Sequence, residues 1–209
     1  MPSERPEFVF LDMGNVIVSF DRERAFQQMA EVCGTDVETV RRVAMDADLH
    51  EAIERGAIDW REFHGLFSAR TGTTSDPPAL ARAASDMFTI KVDMLPVIAG
   101  LERSGCGLGI LSNTCGPHWE HLLTRRYAVL PGNFQLVVLS HEVRAVKPEP
   151  EIYRLAAERA GVPPSRIFFT DDIPSNVAAA RAAGWQAELF TSAAALIDQL
   201  DRRGLKLGL

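Results

Sequence analysis

A chain of 209 residues, 46% of them hydrophobic and 24% charged, carries enough apolar side chain to bury a substantial core. Its formal charge of −6 and the lack of a basic stripe argue against a nucleic-acid footprint. No apolar stretch reaches the roughly 20 residues of a membrane span. The opening Met1-Pro2-Ser3-Glu4-Arg5 has no signal-peptide pattern, and Cys33, Cys106 and Cys115 have no metal-ligand spacing. A soluble, cytoplasmic protein with reduced thiols is the expectation.

Taken in chain order, residues 8–18 read as a strand interrupted by a loop at Gly14-Asn15. From 21 to 88 the pattern turns helical. Phe26, Met29 and Ala30 share a helix face closed by Gly34, and Asp36 can cap a helix carrying Val37, Val40 and Val43. Residues 51–56 look like a helix ending at Gly56. Asp59 with Glu62 has capping-box form before Phe63, Leu66 and Phe67, and Asp76-Pro77-Pro78 opens another helix. This stretch shows no strand signal.

Beyond residue 94 helices and strands alternate. Residues 95–103 predict a helix, 108–111 a strand, 134–139 a strand and 149–160 a helix. Next come a strand over 166–170, a helix over 175–183, a short strand over 186–190 and a last helix over 193–202. Such alternation implies an α/β fold, a Rossmann-like doubly wound parallel sheet with an inserted α-helical cap. The core is expected over 1–20 and 91–209 and the cap over 21–90. The cap would lie over the C-terminal ends of the strands, with hinges at 18–21 and 90–94.

Those strand ends carry the chemistry. Asp12 follows the apolar run Phe8-Val9-Phe10-Leu11, and Asp171-Asp172 follows Ile167-Phe168-Phe169-Thr170. In an open parallel sheet, carboxylates at two strand tips can meet on one hard cation, and Asp171-Asp172 suits Mg²⁺. Ser112-Asn113-Thr114 offers a hydroxyl and backbone N–H groups to anionic oxygens. Lys147, before Pro148-Glu149-Pro150, supplies a point charge for a phosphoryl group or a carboxylate. Singly, each has an ordinary explanation as a turn or cap residue. Their order and shared placement single them out.

The set Phe10-Leu11-Asp12-Met13-Gly14-Asn15-Val16, Leu111-Ser112-Asn113-Thr114, Lys147-Pro148-Glu149-Pro150 and Thr170-Asp171-Asp172-Ile173-Pro174-Ser175-Asn176 resembles the haloacid dehalogenase-like hydrolase superfamily over nearly the whole chain. Within it, the chain is most similar to the Asp-x-Gly-Asn-Val sugar phosphatases, the α-glucose-1-phosphate phosphatase-like group. The segment Glu54-Arg55-Gly56-Ala57-Ile58 matches that group's cap, and the last motif also resembles the phosphatase domain of soluble epoxide hydrolases.

The resemblance implies a phosphatase acting on a small phosphorylated metabolite through an aspartyl-phosphate on Asp12. It implies Mg²⁺ held by Asp12, the Gly14 carbonyl and Asp172, with Asp171 acting through water or from behind. Ser112, Asn113 and Lys147 would bind the transferring oxygens, and Asn176 would buttress the acidic loop. Neither nucleic acid nor membrane is an expected partner, and oligomeric state stays open.

Gly14 departs from the superfamily pattern, which usually has a second Asp there as general acid. Losing such a group typically costs about 10²–10⁴-fold. The loss is smaller for leaving groups that depart unaided, such as anomeric, acyl or aryl phosphates. Asp21, His50, Glu51 and Glu54 are candidate replacements, and His118 and Trp119 candidate pocket residues. Two other readings stay open: a metal-free 2-haloacid dehalogenase, and a phosphoryl-binding regulatory protein with little or no activity.

Overall fold

The sheet is organised by its central strand. In a computed structural model of the chain, which describes residues 5–124, 130–132 and 134–209, β1 (Phe8–Leu11) is buried at every position. The first four residues of the opening segment read above lie outside that description. β1 pairs in parallel with β4 (Gly107–Ser112) on one side and β6 (Ile167–Asp171) on the other. β5 (Leu136–Leu139) and β7 (Gln186–Leu189) complete the order β5-β4-β1-β6-β7, all parallel.

Successive strand residues face opposite sides, so β1 feeds two separate cores. Val9 and Leu11 pack in one cluster with Ile98 and Leu101 of α6 (Leu95–Arg103) and Leu196 and Leu200 of α11 (Ala193–Asp201). Phe8 and Phe10 pack in the other with Ile152 and Tyr153 of α9 (Pro150–Ala160) and Val177 and Ala180 of α10 (Pro174–Ala182). Helices on both faces account for the apolar strand runs. The doubly wound core expected from the sequence is therefore present. No helix among the described residues is long and apolar enough to cross a membrane.

Two glycines of β4 make room for the rings of β1. A Cβ on Gly107 would lie 2.3 Å from the Phe8 ring, and one on Gly109 would lie 2.7 Å from the Phe10 ring and 2.8 Å from the Leu136 carbonyl oxygen. Phe10 in turn stacks on Trp185 with ring centroids 5.4 Å apart.

Between β1 and β4 runs the helical insert: α1 (Arg22–Cys33), α2 (Val37–Ala44), α3 (Ala47–Glu54), α4 (Trp60–Thr71) and α5 (Pro77–Ser85). Their starts follow the capping chemistry. Asp21, Asp36, Asp46 and Asp76 each accept a backbone N–H of the first turn, and Asp59 with Glu62 forms a complete capping box. Phe26, Leu49, Ile53, Phe63, Phe67 and Leu80 build a third apolar cluster within the insert, to which Cys115 beyond β4 also contributes.

The structure corrects the sequence reading in three places. The first strand stops at Leu11; β2 (Val18–Phe20) belongs to another sheet, antiparallel to β3 (Phe88–Ile90), at the foot of the insert. Three-residue strands are too short to show alternation, and these two flank the 21–88 stretch, which is itself helical as its pattern implies. Helix α3 begins at Ala47 rather than 51, capped by Asp46. Two short helices, α7 (Gly116–Leu122) and α8 (Ser140–Val143), start without a side-chain cap and went unread.

Gly109→Ala is expected to lower stability by about 1–3 kcal/mol, the usual range for overpacking a filled core. Urea unfolding followed by fluorescence checks this, and an unchanged midpoint would show that β5 can move away without loss.

Candidate active site

Asp12 leaves β1 with its backbone N–H on the Thr170 carbonyl at 3.0 Å, so its side chain emerges between β4 and β6. Lys147 reaches it from the loop before α9. The Lys147 Nζ donates to Asp12 Oδ1 at 2.7 Å, to Asp171 Oδ2 at 2.6 Å and to the Leu111 carbonyl at 3.0 Å. An ammonium has three protons, and here each has an acceptor. Both Lys147 and Asp12 are buried. Burial opposes the lysine's charge, but the two carboxylates outweigh it and hold its pKa above the ordinary value. Burial pushes Asp12 up to about 6, with Lys147 pulling it down and Asp171 pushing it up.

Asp171 is committed on both oxygens. Beyond Lys147, it accepts from Asn176 Nδ2 at 3.0 and 3.1 Å and from the Ile173 N–H at 2.8 Å. Asn176 is fixed in its turn, its carbonyl accepting from the Tyr153 hydroxyl at 2.9 Å. Asp171 therefore sits behind the cavity, while its neighbour Asp172 lines it. Asp172 Oδ2 accepts from Asn15 Nδ2 at 2.8 Å, and Asn15 holds a left-handed backbone with φ 54°. Asn15 had no assigned role in the sequence reading. The Gly-Asn pair was its signal, since asparagine tolerates that conformation.

Lys147 is placed from its backbone as well. Asn113 Nδ2 donates to the Lys147 carbonyl at 2.9 Å, and the Lys147 N–H donates to Asn113 Oδ1 at 2.8 Å. This two-point clamp ties the loop to the tip of β4, leaving Ser112 beside it at the cavity wall.

Carboxylate oxygens of Asp12, Asp171 and Asp172 lie within 4.8 Å of one another. Three carboxylates against one ammonium leave a net negative, largely buried cluster, a donor set that suits a hard divalent cation.

The cavity over Asp12 is about 300 Å³ in volume. Asp12, Gly14, Ser112, Asn113, Lys147 and Asp172 form its floor; Arg22, His50, Glu54, Met87, Phe88 and His118 reach it from the insert and α7. A smaller apolar cavity of about 80 Å³ adjoins it among Phe26, Met29, Ile53, Trp60 and Phe63, sharing Arg22, His50, Glu54, Met87 and His118 as walls.

The structure sorts the candidates for the missing acid. The Asp21 carboxylate caps α1 on the Arg24 N–H at 3.1 Å, and Glu51 pairs with Arg55 at 2.7 Å; neither lines the cavity. His50 and Glu54 do line it, with His50 Nε2 3.5 Å from Glu54 Oε1. His118 also lines it, and loss of hydration, aided by His50, pushes it down to about 4, so it is neutral near pH 7. Trp119 instead packs on the core cluster of α6 and α11. The space beside Gly14 is taken by Phe20, whose Cε1 would lie 3.2 Å from a Cβ there. Phe20 and Arg22, whose guanidinium lies 5.0 Å from the Phe20 ring centroid, were not among the sequence candidates.

A family model described as haloacid dehalogenase-like hydrolase matches residues 7–184. The chain is 33% identical over 142 residues to fructose-1-phosphate phosphatase YqaB of Escherichia coli (strain K12), covering 63% of this chain and 72% of that protein. It is 26% identical over 188 residues to D-ribitol-5-phosphate phosphatase of Bacteroides thetaiotaomicron, covering 85% of this chain and 88% of that one. Its fold matches, with a TM-score of 0.79, a HAD family enzyme of Bacteroides thetaiotaomicron in complex with magnesium and inorganic phosphate; identity is 24%, over 89% of this chain and 94% of that chain. The family match takes in four of the sheet's five strands, the insert and all four strand-tip motifs, and the chain belongs to the haloacid dehalogenase-like hydrolase family.

Proposed function

We propose that this hydrolase is a Mg²⁺-dependent phosphatase of small phosphorylated metabolites, with sugar phosphates such as glucose 1-phosphate foremost. The observation that carries the reading is the buried Asp12 carboxylate at a strand tip, one oxygen on Lys147, facing a cavity shared with Ser112, Asn113 and Asp172. Two relatives named as phosphatases of sugar or sugar-alcohol phosphates support the substrate class.

In this mechanism Asp12 attacks phosphorus; a new O–P bond forms as the bond to the leaving oxygen breaks. Water then cleaves the aspartyl-phosphate, releasing phosphate and restoring Asp12. Lys147, Ser112 and the Asn113 backbone offset charge on the transferring oxygens, the largest contribution the protein makes to phosphoryl transfer. Asp12, the Gly14 carbonyl and Asp172 would hold Mg²⁺, with Asp171 bracing Lys147 behind them. When bound, the ion adds positive charge beside the phosphoryl oxygens and offsets the surplus of carboxylates. A metal-free dehalogenase has no use for that surplus, which favours the phosphatase reading.

The cavity has no carboxyl at Gly14, and Phe20 fills the place beside it. The leaving group therefore departs with its own electrons stabilised, or takes a proton from the wall formed by His50 and Glu54. Anomeric and aryl phosphates suit the first route.

Phosphate release across sugar, nucleotide, acyl and aryl phosphates is expected with Mg²⁺. EDTA should abolish it, and Asp12→Asn should lower it by at least about 10³-fold, as expected for a lost nucleophile. Full activity in EDTA, or in Asp12→Asn, would sink the proposal.

Wild-type protein should prefer anomeric or aryl phosphates over simple alkyl phosphates. Gly14→Asp combined with Phe20→Ala should raise alkyl turnover by about 10-fold or more, part of what a general acid supplies. An unchanged preference would mean that another residue already donates the proton.

A further inference from the structure

Helix α3 sends side chains to two places. His50 and Glu54 line the cavity over Asp12. One residue on, the half-buried Arg55 reaches Glu149, two residues beyond Lys147. The guanidinium grips both carboxylate oxygens, Nη1 to Oε2 at 2.9 Å and Nη2 to Oε1 at 2.6 Å. Glu51, one turn back, accepts from the same Nη2 at 2.7 Å and orients the fork. Glu149 Oε2 also accepts the Val146 N–H at 3.4 Å, so the carboxylate closes over the loop that carries Lys147.

The neighbouring contacts hold the same point. Ser140 Oγ donates to the Glu54 carbonyl at 2.6 Å, and Gly56, at φ +69°, lies so close to the His141 carbonyl that a Cβ would sit 2.1 Å from its oxygen. The insert is thus joined to the core at the α3 terminus as well as at the β2–β3 pair and where α5 packs on α7. The α3 terminus is the junction that reaches the lysine loop.

We propose that Arg55 is a positioning residue: by clamping Glu149 it sets α3, and with it His50 and Glu54, in fixed register with Lys147. This rests on the phosphatase reading. A planar fork fixes direction as well as distance, which a lysine's point charge does not. Exposed ion pairs add little to stability, whereas an error of about 1 Å between reacting groups can cost about 10²-fold in rate. The clamp's effect therefore falls on turnover.

The test measures kcat, KM and thermal midpoint for Arg55→Ala, Arg55→Lys, Glu149→Gln and the Arg55→Ala/Glu149→Gln double variant, on the best substrate of the phosphate panel with Mg²⁺. Arg154→Ala is the control, because Arg154 pairs with Glu151 and Glu158 within α9 alone. Either single substitution should lower kcat at least about 10-fold with a near-native midpoint, and the double should be no worse than the singles. Arg55→Lys should recover little. Additive losses, or kcat equal to that of the control, overturn the proposal. Hydrogen exchange over residues 50–56 and 140–149 reads the clamp without turnover: faster exchange in Arg55→Ala supports it and native protection refutes it. A wild-type protein that releases no phosphate would overturn the phosphatase reading, leaving exchange to judge the clamp by itself.

Discussion

Everything at the strand tips hangs on one ammonium group. Lys147 joins Asp12 after β1, the Leu111 carbonyl of β4 and Asp171 of β6, so a single cation ties the three central strands together at the end where the cavity opens. Buried charge is tolerable only when paired and hydrogen-bonded, and this cluster meets both conditions. Removing the lysine would leave two carboxylates facing each other out of water. The sheet order supplies the adjacency: β4, β1 and β6 are neighbours, and the loop after β5 folds back across them.

The two sides of the cavity come from different parts of the chain. The floor is built from strand tips on a rigid parallel sheet, held by side-chain to main-chain bonds such as the Asn113–Lys147 clamp. The opposite wall comes from helices of the insert, with an apolar chamber behind it. Rigid placement suits the group common to every phosphorylated substrate. A separately packed wall suits the part that varies, because its side chains can change without disturbing the sheet.

Much of this was legible in the sequence, for reasons specific to each element. Helix starts in the insert announced themselves because an aspartate at the N-cap bonds a backbone N–H within its own turn, as at Asp36 and Asp59. Asp12, Ser112 and Asp172 were readable as a group because each follows an apolar run, and parallel strands bring their ends together. Lys147, past β5 and beyond α8, stood out by its Lys-Pro-Glu-Pro setting instead. Asp171 and Asp172 could not be separated that way: both follow the same run, and only the strand's pleat sends one behind the cavity and one into it. Asp21 and Glu51 were ambiguous because a helix position does not say which face meets the core. Arg55 and Glu149, 94 residues apart, had no local signal at all.

The β2–β3 pair at the foot of the insert bears on how the chain finds its fold. Strand β1 must find β4 across about a hundred residues, Phe8 opposite Gly107, and β6 across more still, Phe8 opposite Ile167. Such distant pairings are slow because loop entropy is lost before contacts compensate for it. Phe20 opposite Phe88 closes off most of the first interval. If the insert assembles on its own apolar cluster and zips this stalk first, the open loop between β1 and β4 shrinks to about thirty residues. That reduces the closure penalty by about 1 kcal/mol on the logarithmic loop-length rule. The same short stalk that ties the cavity's roof to its floor is thus also a shortcut through the search for the central sheet.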